Sequence, residues 1–276
     1  MALRRFTKVL IAVALSLTVI GSMLVMLPAA VFANPPCGST ITASTTMTAS
    51  IGPCAAGLKI GANGIVLNCA GFSISGGGAG IGIDLVGRSG VTVEHCKTSN
   101  FAEGIALAGS SNNILFANTG TCNKVYYYEV TDSNLNTLVD NSAGCPAAPL
   151  GAAGFYLSAS SNNVFIDNTA VGTKGYGFYL FSSSGNNLVG NTANSNNVDG
   201  FALTAASKSN NLFTNTANSN LQYGYHDLST GTGTKATGNI YNGDICGPTA
   251  ATHNTVGGAI PPNVGVPPYL CTPQSP

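Results

Sequence analysis

One phrase returns along the chain with a nearly fixed period: glycine, an apolar residue, any residue, leucine, then a serine-rich stretch and Asn-Asn. It reads Gly104-Ile105-Ala106-Leu107, Gly154-Phe155-Tyr156-Leu157, Gly177-Phe178-Tyr179-Leu180 and Gly200-Phe201-Ala202-Leu203. Gly82-Ile83-Asp84-Leu85 fits upstream, Gly224-Tyr225-His226 fits downstream with a slip, and Tyr127 takes the glycine position of one degenerate copy. Starts at 82, 104, 127, 154, 177, 200 and 224 lie 22 to 27 residues apart, the longest interval carrying a Pro-rich insertion around Pro146–Pro149. Gly57-Leu58-Lys59-Ile60 is an eighth, less regular copy. A fixed period outranks local propensity in deciding a fold, because each unit buries its apolar face only against its neighbours.

A second column sets the register. Asn118, Asn141, Asn168 and Asn191 fall fourteen residues after their starts, and Asn215 falls fifteen after Gly200. Three positions earlier stand Leu115, Leu138, Phe165, Leu188 and Leu212, one apolar residue per repeat. Segments between turn signals run three to five residues and alternate apolar with polar, which suits short half-buried strands. Stacked at about 4.8 Å, such strands share one core, pair their backbones with the coils on either side and align asparagines into a ladder. The pattern therefore predicts an all-β, single-domain parallel β-helix (a solenoid) of about 8–9 coils.

Apolar residues make up 44% of the 276 and charged ones 7%, so core material is ample while surface charge is sparse. Arg4, Arg5 and Lys8 precede an apolar run from Val9 to Leu27, followed by Val31-Phe32-Ala33 and Asn34-Pro35. That order is a secretory signal over 1–33, cut after Ala33; a retained membrane anchor is the rival reading, and no later stretch is apolar enough to span. Beyond it remain seven basic and ten acidic residues with no basic stripe, which argues against nucleic acid. The expected organisation is a signal over 1–33, an N-terminal cap over 34–56, repeats over 57–245 and a Pro-rich cap or tail over 246–276. The expected localisation is secreted, periplasmic or cell-surface.

The Gly-apolar-x-Leu-x-x-Ser-Ser-Asn-Asn-x-apolar-x-x-Asn pattern resembles the repeat of right-handed parallel β-helix proteins, the pectin lyase-like superfamily with its pectate lyases, polygalacturonases, epimerases and NosD-like exported proteins. The resemblance covers about residues 57–242, and Cys37-Gly38-x-x-Ile41 followed by Cys54 resembles the cap of the NosD-like group. It implies right-handedness and an exported protein; it says little of activity, since one fold hosts many functions.

Eight cysteines in an exported chain imply a disulfide-stapled solenoid. Cys122 and Cys145 each lie four residues after the Asn column and so stack in adjacent coils, within disulfide reach. Cys96 sits in the Asn column itself, with Cys69 one coil earlier. Cys37–Cys54 would close the cap, and Cys246–Cys271 would tie the tail to the last coil. No C-x-x-C pair occurs, His is limited to 95, 226 and 253, and Met47 is the one methionine beyond the signal, so a copper site of NosD type lacks evident ligands.

Candidate chemistry lies in three places. The third residue of each phrase should face solvent, giving the column Asp84, Ala106, Glu129, Tyr156, Tyr179, Ala202 and His226, with Tyr126, Tyr176 and Tyr223 just before the glycine position. Tyrosines at coil spacing on a flat face suit sugar rings, although tyrosine also suits any strand surface. Asp140 and Asp167 share the column before the Asn ladder, where paired carboxylates perturb each other or hold a cation, or simply serve the turn. His226-Asp227 is no ready dyad, because neighbours in a strand face opposite ways. Polygalacturonase-type Asn-Thr-Asp, Asp-Asp and Gly-His-Gly motifs and the epimerase-type Asp-Pro-His-Asp motif are missing from the sequence. The expectation is a non-catalytic exported protein binding polysaccharide or another cell-surface component through Tyr126, Tyr156, Tyr176, Tyr179 and Tyr223, with no cofactor. The first alternative is a diverged polysaccharide lyase or glycoside hydrolase with weak catalytic candidates Glu129, Asp140 and Asp167, in which Ca²⁺ would be the metal. The second is a ligand-free structural or adhesive rod.

Overall fold

A computed structural model describes residues 31–145, 149–247 and 272–273. The chain winds as a parallel β-helix with three sheets. The first holds nine strands, from Thr40–Ile41 to Tyr223–Asp227, and includes every Gly-apolar-x-Leu phrase. The second holds ten, from Val31–Ala33 to Ile240–Asn242, and the third ten, from Ile51–Cys54 to Thr272–Pro273. Each strand pairs in parallel with the equivalent strand one coil away, as in Tyr156↔Tyr179, Phe165↔Leu188 and Ala170↔Ala193.

The corners explain why so short a repeat suffices. The residue before each Asn-column position takes a left-handed backbone: His95, Ala117, Asp140, Asp167, Gly190 and Thr214 have φ of 52–68°. The next side chain turns inward. Asn118, Asn141, Asn168, Asn191 and Asn215 are all buried. From Asn141 onward each carboxamide oxygen accepts two bonds from the coil before. Thus Asn168 Oδ1 takes the Asn141 backbone N–H at 3.0 Å and Asn141 Nδ2 at 2.9 Å, while Asn168 Nδ2 donates to Leu138 O at 2.8 Å and to Asn191 Oδ1 at 3.0 Å. The ladder closes on Asp244, whose Oδ1 accepts from the Asn215 backbone N–H and from Asn215 Nδ2, both at 2.8 Å. Burial pushes that carboxyl up to about 6.

Two further asparagine ladders and a serine ladder hold the other corners. Asn113, Asn136, Asn163, Asn186, Asn210 and Asn239 link in the same way between the first and second sheets. Asn196 and Asn220 do so after the third sheet, with Thr173 in the ladder position one coil earlier. At the end of the first sheet, the backbone N–H groups of Ser110, Ser133, Ser160 and Ser183 each donate to the serine hydroxyl of the next coil.

Inside, like residues stack. Tyr128, Phe155, Phe178, Phe201 and Tyr225 form a column of near-parallel rings with centroids 4.6–5.0 Å apart; such pairs add about 0.5–1.5 kcal/mol beyond their area burial. Leu67, Val93, Leu115, Leu138, Phe165, Leu188 and Leu212 line the second sheet, and Ala143, Ala170, Ala193 and Ala217 the third. The small third-sheet residues face the glycine column. A Cβ on Gly177 would lie 2.6 Å from Gly200 O and 2.7 Å from Ala193 Cβ, which is why the phrase starts with glycine. Tyr127 occupies that position once. Its ring lies beside Gly120 and Gly151, where an added Cβ would come within 3.1 and 2.4 Å of it.

Disulfides join Cys37–Cys54, Cys69–Cys96 and Cys122–Cys145, the last two with Cα separations of 4.7 Å across adjacent coils. Cys246 is also disulfide-bonded; its expected partner, Cys271, lies outside the described residues, as does most of the expected signal segment. The expected cap over 34–56 supplies one strand to each sheet and so winds a coil of its own. Val31–Ala33 pairs with Thr45–Met47, so a cut after Ala33 removes one edge strand.

Asn168→Ala strips the partners from two buried donors on Asn141 and from Leu138 O. At about 1–3 kcal/mol per orphaned buried group, it should destabilise the protein by about 3 kcal/mol or more. Asn197→Ala, at an exposed position, should change stability by about 0.5 kcal/mol or less. Urea unfolding of the two variants checks the contrast.

Candidate ligand-binding face

The outer surface of the first sheet gathers the tyrosines. Its register places Glu103, Tyr126 and Ala153 in one column, continued by Tyr176, and Asp84, Ala106, Glu129, Tyr156, Tyr179, Ala202 and His226 in the next. Tyr126 stacks on Tyr156 at 4.3 Å with the planes 12° apart. Tyr176 stacks on Tyr179 at 4.6 Å, Tyr156 meets Tyr179 at 5.7 Å, and the exposed Phe181 lies edge-on to Tyr179 at 6.4 Å. All four tyrosines are half-buried, so each presents part of its ring to solvent. Burial, then the neighbouring Tyr156 hydroxyl and Glu129, push Tyr126 up to about 12. Tyr223 stands apart, packed on His226 at 4.6 Å two coils further on.

Carboxylates flank the platform on one side. Asp84 and Glu129 occupy the tyrosine column on either side of Ala106, and Glu103 stands beside Ala106 in the neighbouring column. Ala106 faces outward yet is 4% exposed, so its neighbours' side chains cover it. Glu103 is raised from 4.5 to about 7: burial contributes most, then a hydrogen bond to Glu129 and its charge, then the charge of Asp84. Glu129 Oε1 accepts a bond from the Thr131 hydroxyl at 2.9 Å. The phrase pattern singles out Glu129 on this face and misses Glu103. The signal for Glu103 was its place before Gly104, the same column that yields Tyr126 and Tyr176.

At the other side, Asp199 lies in the pre-glycine column with its side chain 1% exposed, and it pairs with His226 Nδ1 at 3.0 Å. Asp227 points the opposite way, into the core, where it accepts bonds from Ser229, Asn239 and Tyr241. The histidine thus has its acid partner one coil away rather than next in sequence.

Asp140 and Asp167 are not brought to this face. Both are exposed left-handed corner residues between the second and third sheets. Partial burial and the charge of Asp140 raise Asp167. With Glu129 on the first sheet, the three carboxylates do not form one site. Among the described residues no three His, Cys, Asp or Glu side chains converge as metal ligands, and each described cysteine is in a disulfide. The described residues thus gather no His or thiolate ligand set of the kind a copper centre uses.

Comparison with known proteins bears on this arrangement. Residues 148–254, less than half of the chain, match the family described as periplasmic copper-binding protein (NosD). The chain is a parallel β-solenoid with a NosD-like repeat segment. No curated protein matches it by sequence. Among solved structures, the pectate lyase Pel9A is similar with a TM-score of 0.53 at 12% identity, over 83% of this chain and 67% of that one. The catalytic domain of a GH87 α-1,3-glucanase in complex with nigerose gives 0.48 at 15%, over 83% and 59%, for its D1069A form. The periplasmic alginate epimerase AlgG gives 0.44 at 12%, over 84% and 77%. At these identities the likeness is one of fold. No helix among the described residues is long and apolar enough to cross a membrane.

A carboxyl whose folded pKa is raised favours the folded state below its unfolded value and loses that contribution as pH climbs through the folded value. For Glu103 the window runs from about 4.5 to about 7. Carbon-detected NMR should place its midpoint near 7, and Glu129→Gln should move it down by removing the adjacent charge. Relative to Glu103→Gln, the wild-type melting temperature should fall as pH rises through that window.

Proposed function

We propose that this is an exported polysaccharide-binding protein that acts without turnover, with the Tyr126–Tyr156–Tyr179–Tyr176 platform as its ligand face. The observation that carries this reading is the continuity of the rings: four tyrosines from three successive coils pack against one another on one sheet face. Preorganised aromatic surface binds sugar rings with little loss of side-chain freedom. Carboxylates and hydroxyls at the edge supply partners for sugar hydroxyls. Disulfides and the signal-like leader support a secreted, periplasmic or cell-surface location, and the fold is shared with a pectate lyase. A copper role of the kind named for the matching family finds no supporting donor set among the described residues.

A second reading is favoured by one observation. Glu103 and Glu129 stand in neighbouring columns of adjacent coils beside the platform, and burial and the neighbouring Glu129 push Glu103 up to about 7, the range a general acid uses at neutral pH. If the protein does turn over glycan, this pair is the expected machinery, in place of Asp140 and Asp167.

Pull-down of the chain from Asn34 against a polysaccharide panel, followed by product analysis of each hit, tests both. Tyr156→Ala/Tyr179→Ala should weaken retention at least about tenfold while changing stability by about 1 kcal/mol, as for partly exposed stacked rings. Retention that survives the double change sinks the platform as the site. Cleavage products that vanish in Glu103→Gln would put the enzyme reading in front.

A further inference from the structure

The charges around the platform narrow the ligand. We infer that the first-sheet face takes a polymer of amino sugars with free ammonium groups, and discriminates against both acetylated and uronate chains. This rests on the polysaccharide-binding reading above and specifies its substrate class.

Charge complementarity makes the argument. Glu103 and Glu129 stand beside the rings, and Asp84 continues the row one coil beyond Ala106, the three drawn from successive first-sheet strands. Each is half-buried, so solvent screens it only in part. Burial, then the hydrogen bond and charge of Glu129 and the charge of Asp84, push Glu103 up to about 7, so a cation placed beside it would favour its ionised form. Asp199, the fourth carboxylate on the face, is already matched by His226. Three lysines lie off the rings: Lys59 is the direct register partner of Asp84, at the end of the column away from the tyrosines, and Lys124 and Lys174 are exposed at the corner preceding the tyrosine strands.

A polyuronate laid along the rings would bring its carboxylates against like charge. A polymer bearing ammonium groups would neutralise the cluster and take up the carboxylate lone pairs. Its cations would also meet aromatic faces, which attract them. The three carboxylates are spread over successive coils rather than aimed at one point, and they form no metal-ligating group. A repeating cation uses such a row better than a single ion does. The spacing is that of parallel strands, about 4.8 Å per coil.

The test compares three oligosaccharides of equal length on the chain from Asn34: a chitosan hexamer, its fully N-acetylated counterpart and hexagalacturonate. Isothermal titration at about pH 6 and low salt measures each. The inference expects the chitosan hexamer to bind at least about tenfold more tightly than either of the others, with affinity falling as salt rises. Glu103→Gln/Glu129→Gln should erase that preference while leaving weak binding to all three. Tyr156→Ala/Tyr179→Ala should abolish binding of each. Circular dichroism checks that both variants keep the fold, and the wild-type comparison stands without them. Equal or tighter binding of the acetylated or uronate chain overturns the amino-sugar inference and leaves the glycan-binding reading intact. No binding of any of the three overturns the inference, and it overturns the broader reading as well if the polysaccharide panel is also blank.

Discussion

The corner asparagine is the interaction on which the rest depends. A β-helix with a coil of about 23 residues must change direction three times per turn, and left-handed residues recur at its corners. Such a residue interrupts regular strand pairing, and the buried N–H that follows needs another acceptor. A carboxamide on the next coil supplies the acceptor and also brings two donors of its own. One of those reaches a carbonyl in an earlier coil, and the other continues the ladder. One residue type thus satisfies the backbone at corner after corner. This is why a chain with 29 asparagines carries so little charge yet buries so many polar groups.

The ladders also dictate the packing between the sheets. Fixed corners hold every coil in one register, so identical positions fall above one another and must accept identical neighbours. The aromatic column from Tyr128 to Tyr225 and the alanine column from Ala143 to Ala217 are complementary solutions to one constraint of width. Large rings on the first sheet require small residues where the third sheet meets the glycine position. The close approach of Gly177 to Gly200 O and Ala193 shows how little room remains. The disulfides at 4.7 Å reinforce a spacing already set by hydrogen bonds.

Much of this was legible because the repeat is its own alignment. The Asn118–Asn215 column, the Leu115–Leu212 column and the Cys122–Cys145 stack all follow from counting positions within the chain. The ladders beginning at Asn113 and Ser110 were visible as the Ser-Ser-Asn-Asn phrase, but their burial was not, since polar residues in a loop usually face water. Periodicity reads equivalent positions well and reads neighbours across columns poorly. Glu103 belongs with Glu129 and Asp84 only when two columns are set side by side, and Asp199 meets His226 for the same reason. Asp140 and Asp167 illustrate the converse. They do share a column, yet it is a corner, remote from the face that holds Glu129.

The distinction between inward and outward columns then bears on what the molecule can evolve. Inward positions and corner asparagines are coupled along the whole stack, because each bonds or packs against the coil before and the coil after. Outward positions of the first sheet touch only their immediate neighbours, so tyrosine, glutamate, alanine and histidine can succeed one another in a single column without disturbing the core. A solenoid of this kind separates the residues that fold it from those that meet a ligand. The same architecture can therefore carry a lyase site in one protein and a row of rings and carboxylates in this one. Fold likeness at 12% identity reports the first set of residues; ligand chemistry has to be read from the second.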